Sequence, residues 1–131
     1  MPDQARIPWW ESATVVESLL RSLCAGITEE ITFRLGLMTL AAWVIWISLN
    51  RPATHTTVQW GGNLLAALLF GAAHLPGQPD AAWVVPVLVS IITVNAGGAI
   101  LMGWLFMRYG LVASITAHTV ADVVQTLSLS W

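Results

Sequence analysis

The sequence predicts an all-α integral membrane protein, a bundle of about four transmembrane helices preceded by an amphipathic interfacial helix. Three observations carry this. Hydrophobic residues make up 56% and charged residues 9% of the 131 positions, against roughly 45–50% and 25% in soluble domains. The apolar positions gather into segments of about the length that spans a hydrocarbon core. Of the eight Trp residues, Trp9, Trp10, Trp60 and Trp131 fall near segment ends, where indole rings favour the headgroup layer.

The chain reads as one domain, 1–131. Residues 1–10, polar and with two prolines, form an arm without an h-region or a small-residue cleavage site, so no cleavable signal peptide is expected. From Glu11 to Ala25, Val15, Val16, Leu19, Leu20 and Leu23 recur at helical spacing. Glu17 and Arg21 lie at i,i+4 on the other side, which describes a helix on the membrane surface or one packed on a neighbour. Residues 26–129 form the helical core.

Four apolar segments follow. Ile31 to Leu49 spans about 28 Å as a helix and ends at Asn50-Arg51-Pro52. Thr57 to Ala73 is shorter, extended by His74, and closes on the turn sequence LPGQPD. Ala81 to Met107 would run to about 40 Å, and Pro86 or Asn95-Ala96-Gly97-Gly98 offer places to kink or break it. Leu111 to Leu129 follows the link Arg108-Tyr109-Gly110. Small residues at i,i+4 (Ala67/Gly71, Ala99/Gly103, Ala113/Ala117/Ala121) predict faces for close helix approach. Arg6 and Arg21 fall on one side and Arg51 and Arg108 on the other, so the positive-inside count leaves orientation open.

Net charge is −2 with no basic run, which excludes nucleic-acid binding by phosphate neutralisation. Cys24 is the single cysteine and reads as a small apolar residue.

Three polar clusters break the apolar pattern. In Glu29-Glu30-Ile31-Thr32-Phe33-Arg34, Glu30 and Arg34 stand at i,i+4 and pair, while Glu29 is turned about 100° away. On their own these could be interfacial acids with a snorkelling Arg. His74 lies one turn after Phe70 at a helix end, where a histidine is commonly a cap. His118 and Asp122 share one face deep in the last segment, at a cost of a few kcal/mol by insertion scales. That spacing lets two side chains grip one ion or polar group. Antiparallel threading puts Glu29, His74, His118 and Asp122 in the same half of the bilayer. These residues predict one site, its polar tips within about 4–7 Å of one another, or about 2 Å from a shared ion.

EExxxR, FxxxH and HxxxD in this order resemble the three motifs of the CPBP family of intramembrane proteases, which comprises type II CAAX prenyl endopeptidases and bacteriocin-processing and abortive-infection relatives. The stretch GGAILMGWLFMRYGLVASITAH is similar to that family's glycine-rich helix, aromatic pair and Arg-x-Gly turn, so the resemblance covers residues from about 26 to 129. It implies a multi-pass endopeptidase of a bacterial or archaeal cell membrane, acting on a peptide or protein. A prenylated tail, a leader peptide and a membrane-protein loop are all compatible substrates. Residue by residue, it implies that Glu29 activates water and His74 helps hold the water or a metal. It further implies that His118 and Asp122 bind the metal or stabilise the oxyanion, while Glu30 and Arg34 brace the site beside Phe70.

Asp122 stands where the family often has Asn, and an ionised Asp cannot donate to an oxyanion. The reading therefore leans to a divalent metal such as zinc, with Glu29, His74, His118 and Asp122 as ligands. The chain is also shorter than usual for the family. The competing readings are an immunity-type or inactive protein of the same fold and a haem protein with His74 and His118 as axial ligands.

Overall fold

In the computed structural model, the structure describes residues 15–49, 54–75 and 84–129, and their regular elements are all helical. Helix α1 (Val15–Glu30), a π-helical stretch (Ile31–Met38) and α2 (Thr39–Ser48) follow one another without interruption. Then come α3 (His55–Ala73), α4 (Val84–Tyr109) and α5 (Leu111–Leu129). The N-terminal arm, residues 11–14, the Asn50-Arg51-Pro52 break and most of the LPGQPD turn lie outside the described residues.

Among the described residues, two helices are long and apolar enough to cross a membrane, Val16–Ser48 and Leu88–Tyr109. Only 11% of the most apolar stretch of the first and 22% of that of the second are buried, whereas the core helix of a soluble protein would be mostly enclosed. The other two expected spans, α3 and α5, are 19 residues each. They are less apolar because α3 carries His55, Gln59 and Asn63, and α5 carries Ser114, His118 and Asp122. On α3 the usual arrangement is inverted: Gly62, Asn63, Ala66, Ala67, Phe70 and Gly71 are buried, while Leu64, Leu65, Leu68 and Leu69 face outward. Small side chains let the backbones approach, and the large apolar ones suit lipid.

The separate interfacial helix expected over 11–25 is not what forms. Its described part is continuous with the first span, and its inner face packs on α5: a Cβ on Gly26 would strike the Thr119 hydroxyl and come within 3.2 Å of the Thr119 nitrogen. The apolar residues Val16, Leu19, Leu20 and Leu23 face outward, and Ser22 and Gly26 form the buried face. Glu29 consequently lies midway along a helix running on to Ser48. Nor does α4 break at Pro86 or at Asn95-Ala96-Gly97-Gly98. The Asn95 amide donates to the Ile91 carbonyl one turn back (2.8 Å), keeping its polar group within the helix.

The buried positions Ser22, Gly26, Glu30, Arg34 and Met38 repeat every four residues. In an α-helix of 3.6 residues per turn such a stripe drifts by about 40° per step. The wider turn of the π stretch rotates less per residue and opposes that drift. The stripe therefore meets α5 at Gly26 and Glu30, and α3 at Met38, whose carbonyl lies 2.6 Å from where a Gly62 Cβ would sit.

Gly71 packs on Ile92 and Ala96 of α4, and Gly103 packs on the Asn63 amide of α3, so two of the predicted small-residue faces are contact faces. The third is not. On α5 the buried residues are Ser114 and His118, next to the alanine row, and Ala121 is exposed. Between α4 and α5 the chain turns at Gly110 alone, with φ +85°, a left-handed conformation that glycine adopts without penalty. The Gly110 amide donates to the Phe106 carbonyl (3.0 Å).

Gly62→Ala should destabilise the protein by about 1–3 kcal/mol, because the new methyl meets the Met38 backbone and Ala42 rather than a flexible side chain. At Gly97 nothing lies within 4 Å of an added Cβ, so Gly97→Ala should be neutral or stabilising by up to about 1 kcal/mol. Thermal unfolding of both variants in one detergent checks the pair. Equal losses would contradict the packing described.

Candidate active site

The site is assembled where α1 meets the π stretch, from the end of α3 and from the middle of α5. Glu30 is fully buried. Its Oε2 accepts from Arg34 Nε (3.0 Å) and from the Ser114 hydroxyl, and its Oε1 accepts from His118 Nδ1 (2.8 Å). The Ser114 hydroxyl also lies 3.0 Å from the Met102 carbonyl of α4, so one side chain ties three segments together. With a guanidinium and a hydroxyl on one oxygen, the carboxylate is the acceptor and the proton resides on His118 Nδ1.

Neighbouring Glu29 faces elsewhere. Its Oε2 lies 3.7 Å from His118 Nε2 and 3.9 Å from His74 Nε2, and its side chain is 31% exposed. His74 closes α3, and its Nδ1 lies 2.8 Å from the Phe70 carbonyl. A carbonyl can only accept, so here too Nδ1 carries the proton. Both imidazoles therefore turn Nε2 toward Glu29, as lone pairs when the rings are neutral and as donors when they are protonated. Asp122 Oδ1 completes the group, 3.8 Å from His118 Nε2.

Phe70 packs on His74 (centroids 4.4 Å apart) and edge-on to His118 (5.8 Å). Phe33 stacks edge-on to Phe70 from the other side (5.0 Å). These rings exclude water behind the imidazoles and hold their planes. In front lies a cavity of about 440 Å³, lined by Glu29, Arg34, Phe70, His74, His118 and Asp122 together with Asn95 and Gln125. That volume lies within the range of small-ligand sites.

The structure thus brings together every residue the sequence singled out. Ser114 was missed, because an isolated serine on an apolar helix normally bonds its own backbone. The one available signal was its spacing, one turn before His118. Asn63 was missed as well. It is fully buried and donates to the Ile100 carbonyl (3.1 Å) across the α3–α4 contact.

Two imidazoles and two carboxylates suit zinc in kind, and the anchored Nδ1 atoms match how histidine ligands are usually oriented. The spacing fits less well. A tetrahedral ion with bonds of about 2.0–2.1 Å sets its donors about 3.3 Å apart, and no three of these groups among the described residues are set to hold an ion. A haem between His74 and His118 fits worse, since Glu29 Oε2 lies against both Nε2 atoms where the iron would need to stand.

Leucine-faced helices around an internal carboxylate–imidazole cavity define the architecture of a membrane protein with a cluster of ionisable groups inside it. Residues 11–124 match the family described as Rce1-like, type II CAAX prenyl endopeptidase Rce1-like, and the chain belongs to that family. No curated protein and no solved structure matched the chain.

Glu30→Gln should cost about 3–5 kcal/mol of stability, because it leaves Arg34 buried opposite a neutral amide. Ser114→Ala removes one hydroxyl donor and should cost about 0.5–1.5 kcal/mol. Thermal unfolding in detergent ranks the two. A Ser114→Ala loss equal to that of Glu30→Gln would mean that Arg34 contributes little to the pair.

Proposed function

We propose that the chain is an intramembrane endopeptidase in which Glu29 activates the water that hydrolyses a peptide bond. One observation carries the reading: Glu29 Oε2 faces the Nε2 atoms of both His74 and His118 across an open cavity, while neighbouring Glu30 is committed to three protein donors. Two carboxylates adjacent in sequence thus have different work.

A water on the cavity side of Glu29 Oε2 and the two Nε2 atoms would donate to Glu29 and be positioned by His74. Glu29 takes its proton as the oxygen attacks the carbonyl, then delivers that proton to the departing amine. His118, fixed through Nδ1 by Glu30, is oriented to donate from Nε2 to the developing oxyanion when its ring is protonated. Asp122 borders that same nitrogen. Family membership supports a peptide or protein substrate, and a prenylated one is part of the proposal. A multi-pass position in a bacterial or archaeal membrane is the proposed setting.

A zinc-like ion held by Glu29, His74, His118 and Asp122 is the second reading, favoured by the N/O donor set and the anchored imidazoles. When bound, it would supply Lewis acidity.

Glu29→Gln should keep the thermal stability of the wild type and lower peptide cleavage by about 10²–10⁴-fold, because an amide cannot accept the proton from water. Full activity in that variant would remove Glu29 from the mechanism. Elemental analysis of purified protein, with cleavage measured before and after chelation, separates the two readings. A stoichiometric metal whose removal abolishes cleavage, and whose return restores it, would assign the water to the metal.

A further inference from the structure

Hydrolysis consumes a water molecule at every turnover, and lipid supplies none. On its α4 side the cavity in front of Glu29 is walled largely by apolar residues such as Ile91, Val94 and Met102. A peptide bound there would cover its mouth, as closed active sites exclude bulk water. Water then has to come from another side.

A second cavity, of about 270 Å³, lies between α1 and α5. Six of its seven lining residues are polar or charged: Ser18, Arg21 and Ser22 on α1, and Asp122, Gln125 and Thr126 on α5. The outward faces of the same two stretches are apolar, with Leu19, Leu20 and Leu23 exposed on α1 and Val120, Val124 and Leu127 exposed on α5. In membrane proteins, ionisable residues set behind such a face point into the bundle or into a water-filled cavity. The space is ample, since one water needs about 10–15 Å³ and two to four polar partners. Below this groove the helices close, where Gly26 packs on Thr119. The way inward leads past Asp122 and Gln125, which line both cavities. Asp122 Oδ1 lies 3.8 Å from His118 Nε2, so a file of waters that reaches Asp122 is beside the imidazole.

We propose that this groove is the water entrance of the site, with Ser18 and Arg21 at its outer end and Asp122 at its inner end, separate from the opening that takes the peptide. The use of the water rests on the peptidase reading, while the hydration itself stands on the groove.

The test uses the full chain carrying Cys24→Ala, reconstituted in vesicles of phosphatidylethanolamine and phosphatidylglycerol. Single cysteines are placed in neighbouring pairs: Ser22→Cys or Leu23→Cys on α1, and Gln125→Cys or Val124→Cys on α5. Members of a pair differ in position along the helix by about 1.5 Å, so a difference in reactivity reports the face and not the depth. A charged trimethylammonium methanethiosulfonate, present on both sides of the membrane, reacts with the thiolate, which forms in water and is suppressed in apolar surroundings. Ser22→Cys and Gln125→Cys should be labelled at least about tenfold faster than their neighbours. Equal or slower labelling of a folded Ser22→Cys would overturn the entrance. If that variant does not fold, the Gln125 pair decides in the same way.

The label on Ser22→Cys plugs the groove, and reduction removes it. With a quenched-fluorescence octapeptide of apolar residues, labelling should lower kcat at least about tenfold and leave KM within about twofold, and reduction should restore the rate. Unchanged kcat after complete labelling would overturn the proposal, and a raised KM at constant kcat would overturn it in favour of a peptide site. Selective labelling without cleavage by the unmodified protein would leave the hydrated groove standing and sink the peptidase reading. Cleavage with all variants labelled alike would do the reverse.

Discussion

The buried carboxylate of Glu30 is the constraint around which the rest of the site is built. A charge at that depth is costly unless its lone pairs are met, and each donor that meets it fixes something else. Arg34 binds it to the next turn of the same helix, Ser114 to α5 and, through Met102, to α4. His118 becomes a histidine whose Nε2 must face the cavity. Without Glu30, α5 would have only small-residue contacts to set its depth and rotation against α1. With it, the register is fixed by hydrogen bonds of specific length and direction.

That arrangement depends on a helix able to present one stripe to two partners. The buried positions from Ser22 to Met38 lie against α5 at one end and α3 at the other. A regular α-helix would wind such a four-residue repeat around its axis. The π stretch lies where the hand-over occurs, beginning one residue after Glu30. Such local widening often marks functional positions. Here its effect is geometric: Glu30 and Arg34 stay on one side of the helix while the packing partner changes.

Much of the site was legible in the sequence because ionisable groups on apolar helices have few bland explanations. His118 and Asp122 at i,i+4 identified themselves, and Glu30 with Arg34 did the same. Their convergence followed from antiparallel threading. Less visible were features whose signal is ordinary in any helix. Ser114 looks like a residue bonding its own backbone, Asn63 like an isolated amide, and the residues over 11–25 like a separate surface helix, because an outward leucine face has the same period whether the helix stops there or runs on into a span. The continuity of α1 with the first span was hidden for that reason. The alanine row on α5 misled in a complementary way: small residues permit close approach, but the hydrogen bonds of Ser114 and His118 decided which face was used.

In the proposed mechanism, position rather than residue type divides the roles of the two adjacent glutamates. One residue along a helix is a rotation of about 100°, enough to put Glu30 among donors that hold it ionised and Glu29 among acceptor-capable nitrogens open to the cavity. A base must be able to take a proton and give it up within one turnover. Glu30 is poorly suited to that task, since protonating it would cancel its charge opposite a buried guanidinium and weaken the hydrogen bond it accepts from His118. Glu29 has no such commitments. Its nearest polar neighbours are 3.7 and 3.9 Å away, beyond direct hydrogen bonding and near enough for one water to bridge. In the proposed mechanism the rigid carboxylate supports the geometry, and the loosely held one is left free for the chemistry.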